Sequence, residues 1–197
     1  MRAWRITAVV TLLLWAQGAV AGTLLVLGDS ISAAFGLDTR QGWVSLLEQR
    51  LAAEGFDYQV VNASVSGDTS AGGLARLPTL LAEHRPDLLI VELGGNDGLR
   101  GQAPAQLQQN LAAMVQQARK SGTRVLILGM KLPPNYGMRY TTAFADVFPQ
   151  VAKEQDVALV PFLLEGAAGL PLMTQADGIH PTAAAQPRLL DNVWPVL

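Results

Sequence analysis

Short apolar runs of strand length, the first and the third stopped by glycine, constrain this chain more than any other feature. Residues 23–28 run Thr-Leu-Leu-Val-Leu and stop at Gly28, and residues 87–93 run Asp-Leu-Leu-Ile-Val-Glu-Leu and stop at Gly94-Gly95. A run with no polar alternation suits a parallel strand buried on both faces, not the half-wet edge of an antiparallel sheet. Between and beyond these runs the period changes. Trp43, Leu46, Leu47 and Leu51 lie at helical spacing and Gly55 ends that segment. Residues 58–62 read as a second strand, 64–73 as a polar loop, and 74–84 as a helix despite Pro78. Pro104 opens a helix with Leu107, Leu111, Met114, Val115 and Ala118 on one face, ended by Ser121-Gly122. Residues 125–128 form a fourth strand, and a helix carrying Tyr140, Phe144, Val147, Phe148 and Val151 leads to a fifth at 157–160. A last helix is expected from Pro181 or Thr182 onward. Strands alternating with helices of this length build βαβ units, and right-handed crossovers leave few topologies. The expectation is an α/β protein: a three-layer sandwich around a five-stranded parallel sheet, with the loops after strands one, two and three meeting at one edge.

The first residues stand apart. Met1-Arg2-Ala3-Trp4-Arg5 is a basic start, residues 6–15 are apolar, and Ala19-Val20-Ala21 is a small-residue cleavage pattern. We expect residues 1–21 to be a signal peptide cut after Ala21, and residues 22–197 to be a single domain. An uncleaved anchor is the alternative, but the run is short for a bilayer and no second span follows. Export to the periplasm or beyond is the expectation, with no stable membrane anchor after cleavage. Removing Arg2 and Arg5 takes the formal charge from -2 to about -4. With no basic stripe, nucleic acid is not an expected partner. No apolar helix face is left over, so a monomer is expected.

The chain has no cysteine and two histidines, His84 and His180. Thiol catalysis and disulfides are excluded, and two distant histidines make no zinc site, so no metal is expected. A hydrolase of this composition would work with an oxygen nucleophile.

Gly28-Asp29-Ser30 brings a serine to the end of the first strand. On its own the tripeptide favours a helix cap, and it is not the Gly-x-Ser-x-Gly elbow. Asp29 reads as a turn or capping residue, and as the serine's neighbour in an extended segment its side chain points away from it. A reactive serine needs a histidine. His84 lies in a charged helix end, where solvent and the helix dipole account for it. His180 lies in Asp177-Gly178-Ile179-His180-Pro181, where Gly178 permits a tight turn and lets Asp177 accept from the imidazole Nδ1–H. Oxyanion donors would come from Ser66-Gly67-Asp68 and Gly94-Gly95-Asn96-Asp97, each of which taken singly also reads as a turn. Asn62-Ala63-Ser64 fits a glycosylation acceptor, but at a strand end in a chain with a bacterial-type leader it reads as structural.

Together, Gly28-Asp29-Ser30, Ser66-Gly67-Asp68, Gly94-Gly95-Asn96-Asp97 and Asp177-Gly178-Ile179-His180-Pro181 resemble the blocks of the SGNH (GDS-type) hydrolase superfamily. Residues 61–70, 91–100 and 132–137 look like stretches of its exported bacterial thioesterase I, lysophospholipase and arylesterase group. The resemblance implies a flavodoxin-like fold and no cofactor. It implies catalytic Ser30, Asp177 and His180, and an oxyanion hole from the Ser30 and Gly67 backbone N–H groups and the Asn96 side chain. It also implies that Leu132, Pro133, Pro134, Asn135 and Tyr136 belong to a loop contacting substrate. The implied activity is hydrolysis of small-molecule acyl esters, acyl thioesters or lysophospholipids through an acyl-enzyme. A carbohydrate O-acetylesterase of the same superfamily and a non-catalytic binding protein are the rival readings. Phe35, in the segment after the serine, stands where it can reshape the pocket entrance.

Overall fold

The computed structural model describes residues 21–197; the leader expected at residues 1–21 lies, but for Ala21, outside the described residues. The apolar runs become five strands: β1 (Gly22–Gly28), β2 (Tyr58–Asn62), β3 (Leu88–Glu92), β4 (Arg124–Leu128) and β5 (Ala158–Val160). They form one wholly parallel sheet in the order β2-β1-β3-β4-β5. β1, β3 and β4 are deeply buried because strands flank them and helices cover both faces; Leu25, Val26, Leu27, Leu89, Ile90, Ile127 and Leu128 have no exposure at all.

The helices are α1 (Trp43–Ala53), α2 (Ser70–His84), α3 (Gly95–Leu99), α4 (Pro104–Lys120), α5 (Met138–Gln155) and α6 (Gln186–Val193). α1 packs on α6 over one face of the sheet, while α2, α4 and α5 pack in sequence over the other. That split follows from right-handed crossovers. β1 to β2 runs one way along the sheet and every later crossover runs the other. The reversal puts a crevice at the carboxyl ends of β1 and β3, where open α/β sheets hold their sites. Gly28 and Glu92 are register partners at that point.

Three expectations about element bounds need correction. α2 starts at Ser70 rather than at residue 74, because Thr69 caps it by accepting from the Gly72 N–H (3.2 Å) and buried Asp97 holds its first residue. Asp97 Oδ2 accepts the Ser70 N–H at 2.8 Å and Oδ1 accepts the Ser70 hydroxyl at 2.5 Å. The glycine loop after β3 is in part the short helix α3. The last helix starts at Gln186, not at Pro181 or Thr182. Pro181 pairs with Thr174 as an isolated bridge, and Thr182 bonds back to Leu172 and Met173, so both stay extended. Pro187 then falls in the first turn of α6, where its missing N–H costs nothing.

Candidate active site

Ser30 lies two residues beyond the end of β1, and its hydroxyl lies 2.8 Å from His180 Nε2 although 150 positions separate the two residues. His180 Nδ1 lies 2.6 Å from Asp177 Oδ2. The turn expected from Asp-Gly is present: Gly178 has φ +73, and Asp177 Oδ1 accepts the backbone N–H groups of Ile179 (2.9 Å) and His180 (3.0 Å). Those backbone bonds and the imidazole hold the Asp177 carboxyl down to about 2. An ionised Asp177 fixes Nδ1 as the protonated nitrogen and leaves the Nε2 lone pair for Ser30. His84 ends α2 and is not near this group; its closest acid is Glu83, 4.0 Å away.

Beside Ser30 lie the two donor loops. Among the described residues the backbone N–H groups of Ser30 and Gly67 donate to no protein acceptor, and both residues line the same cavity as Asn96 and His180. Arginines hold the Gly67 loop from two sides. Arg100 donates to the Gly67 carbonyl at 2.9 Å, and Arg76 pairs with Asp68 at 2.8 Å while bonding the Ala63 carbonyl. Asn96 is different, since both its amide hydrogens are occupied. Nδ2 donates to the Asp68 carbonyl (2.9 Å) and to Asp29 Oδ2 (3.1 Å). A new oxyanion at this position must therefore share or exchange one of those hydrogens.

Asp29 is consequently more than the local turn residue read from the sequence. Its side chain is buried, and burial pushes its carboxyl up to about 6 against the N–H of Ile31, the charge of His180 and the amide of Asn96. Behind it stands Glu92, fully buried at the end of β3, its Oε2 accepting the Asp29 N–H (3.2 Å), the Ser32 N–H (3.3 Å) and the Ser32 hydroxyl (2.7 Å). Burial, and then the charge of Asp29, raise Glu92 well above the ordinary carboxylate range. The signal for Glu92 was one acid inside an otherwise apolar strand; sequence reading passed over it. Asn62 also has a structural task, donating to the Ser32 carbonyl at 2.8 Å.

A cavity of about 570 Å³ opens beside Ser30. Its walls are largely apolar and include Ile31, Leu99, Met130, Phe162 and Leu164. Of the expected substrate loop, Leu132, Pro133 and Pro134 line it. Asn135 and Tyr136 do not; the Tyr136 hydroxyl instead anchors the loop on the Leu99 carbonyl at 3.2 Å, within the 3-10 turn Pro134–Tyr136. Phe35 stands at the cavity edge with its ring centroid 4.4 Å from that of His180.

Residues 26–187 match the model of the GDSL-like Lipase/Acylhydrolase family. The chain belongs to this family. It is 66% identical to the esterase TesA of Pseudomonas aeruginosa over 197 residues, all of this chain and 98% of that protein. It is 45% identical over 188 residues to the thioesterase 1/protease 1/lysophospholipase L1 of Escherichia coli K12, covering 95% of this chain and 89% of that one. The crystal structure of TesA superposes with a TM-score of 0.88 at 70% identity, over 89% of this chain and 97% of the other. The family member described here is accordingly an SGNH-type hydrolase of esters and thioesters, with the three-layer α/β fold of that group. Among the described residues no helix is long and apolar enough to cross a membrane.

Proposed function

We propose that this protein is an exported serine esterase and thioesterase, acting through an acyl-enzyme on Ser30, with lysophospholipids among its substrates. The observation that carries the reading is the continuous chain from Asp177 Oδ2 through His180 to Ser30 Oγ, at 2.6 and 2.8 Å. His180 Nε2 takes the Ser30 proton as Oγ attacks the acyl carbonyl. The backbone N–H groups of Ser30 and Gly67 and the amide of Asn96 stabilise the resulting O⁻. Asn96 turns toward it the hydrogen that rests on Asp29 and keeps its bond to the Asp68 carbonyl. His180 returns the proton to the departing alcohol or thiol, and then activates the water that frees Ser30. Throughout, Asp177 remains ionised and steadies the imidazolium.

The acyl chain occupies the apolar cavity beside Leu132, Pro133 and Pro134. A volume of about 570 Å³ exceeds what an acetyl group fills, which favours longer acyl groups over the O-acetylesterase alternative. We further propose that residues 1–21 are removed, that residues 22–197 act as a single monomeric domain in the periplasm or outside the cell, and that the chemistry needs no metal or organic cofactor.

Acid-quenching the enzyme during turnover of p-nitrophenyl octanoate tests the reading. A mass increase of one octanoyl group on the peptide containing Ser30, absent in Ser30→Ala, is the expected result. Hydrolysis that continues unchanged in Ser30→Ala would overturn it. A series from acetyl to palmitoyl esters, run beside an acyl-CoA and a lysophospholipid, then assigns the substrate class.

A further inference from the structure

Ser30 and His180 come from opposite ends of the chain, and their 2.8 Å contact depends on how the two carrier loops are held together. The Ser30 carbonyl accepts the Phe35 N–H at 3.0 Å. The Phe35 carbonyl in turn accepts from Gln175 Nε2 at 2.9 Å. The same amide donates to the Pro181 carbonyl at 3.0 Å, and the Gln175 backbone N–H donates to the His180 carbonyl at 2.7 Å. A hydrogen-bonded path from the backbone of Ser30 to the backbone of His180 thus passes through only Phe35 and Gln175. The remaining atom of the amide is seated as well. Gln175 Oε1 lies over Gly36, where a Cβ would stand 2.6 Å away and φ is +76. The strap also fixes the Phe35 ring against the imidazole, with 4.4 Å between centroids.

We propose that Gln175 is a positioning residue that sets the Ser30–His180 separation by clamping the loop after the serine to the loop of the histidine. Gln175 has both amide hydrogens on carbonyls of different loops, so no apolar residue of its size reproduces the clamp. Without it the His180 loop keeps its bridge to Thr174 and the Thr182–Met173 bond (2.9 Å), so it stays folded but loses its tie to Phe35. A proton transfer between oxygen and nitrogen is far more sensitive to a shift of that kind than folding is.

The inference rests on the Ser30–His180 chemistry proposed above, and its test separates the two. The mature enzyme carrying Gln175→Met is compared with wild type for kcat and KM on p-nitrophenyl butyrate and for the rate of inactivation by a small p-nitrophenyl phosphonate ester. Thermal unfolding is followed in parallel. The expected result is a loss of roughly 10- to 100-fold in both kcat and inactivation rate, with KM little changed and the protein still folded at the assay temperature. Gln175→Asn, whose shorter amide reaches one carbonyl but not both, should fall between the two. Gly36→Ala should lower kcat both by displacing Oε1 and by straining the backbone at φ +76, and only the first part of that loss should vanish in a Gln175→Ala background, because neighbours that share one contact are not additive. Wild-type kcat and inactivation rate in whichever of these variants folds, or losses no larger than the unfolded fraction, would overturn the proposal. Hydrolysis surviving in Ser30→Ala would instead overturn the site reading beneath it.

Discussion

The backbone N–H of Asp29 donates to Glu92 Oε2 across 3.2 Å, so the acid beside Ser30 and the last residue of β3 are joined behind the reactive serine. Both side chains are buried, and both carboxyls are raised above their ordinary range, chiefly by burial. Burial and the neighbouring Asp29 charge both favour the protonated form of Glu92, which works against two negative charges standing together behind the site.

This pair makes stability depend on pH in a defined direction. A buried acid whose carboxyl is raised to about 6 binds more protons folded than unfolded between the ordinary value of 3.8 and that point. Its contribution is therefore whole below the ordinary carboxylate range and is lost as the pH rises through about 6. For Asp29 the loss is on the order of 3 kcal/mol. His180, Glu92 and Asn96 are the groups that face its carboxyl, and Arg76 reaches the neighbouring Gly28 carbonyl at 3.5 Å. Denaturant unfolding at about pH 4 and about pH 7 should show a shallower decline in Asp29→Asn than in wild type. Equal declines in the two proteins would remove Asp29 as the cause.

Asp177 behaves in the opposite sense. Held down at about 2, it stays ionised wherever the protein is assayed, and whatever stability it supplies is lost only as the pH falls toward that value. The acid limb of kcat/KM is therefore not set by Asp177. Asp177→Asn keeps the shape of the turn but presents an amide to Nδ1, favouring the wrong tautomer. A fall in kcat of roughly 10³- to 10⁴-fold is expected, read from steady-state turnover of one ester with the unfolding temperature as control.

Asn96→Ala should cost roughly 10²- to 10³-fold in kcat with KM nearly unchanged, since the amide acts on the oxyanion rather than on the ground state. The same substitution leaves Asp29 Oδ2 without its 3.1 Å donor. Its carboxyl should then titrate higher still, visible as a steeper loss of stability with pH than in wild type.

The parts of this site legible in the sequence are those fixed by local chemistry or by scarcity. Asp177, Gly178 and His180 lie within one turn, and His180 had only His84 as a rival for the base. β1 and β3 were readable because unbroken apolar runs have few other uses. Long-range polar contacts left no such trace. Asp29 looked like a turn residue because its partner Asn96 is 67 positions away, and the amide of Gln175 meets Phe35 across 140. α3 was missed for a local reason. Gly95-Asn96-Asp97-Gly98-Leu99 is poor in helix formers, and it is helical because it is held between β3 and the loop that carries Leu132. Likewise the start of α2 depends on Asp97, which enters from a different crossover.

Acyl-chain preference is the property most open to redesign, because one wall of the cavity is made of small, exposed residues. Ala168 and Gly169 line it as exposed residues next to buried Leu164, whose carbonyl accepts the Ala168 N–H at 3.0 Å. Ala168→Trp adds bulk at the surface and not in the core, so it should narrow the cavity without overpacking it. Each methylene denied burial forfeits about 0.8 kcal/mol, so excluding two of them lowers kcat/KM by roughly tenfold. The expected pattern is a loss of that size for the palmitoyl ester, with the butyryl ester unaffected, measured as kcat/KM across a p-nitrophenyl series. An equal loss for both chain lengths would mean that the acyl group does not lie along this wall, and that the apolar residues beside Ser30 serve the leaving group.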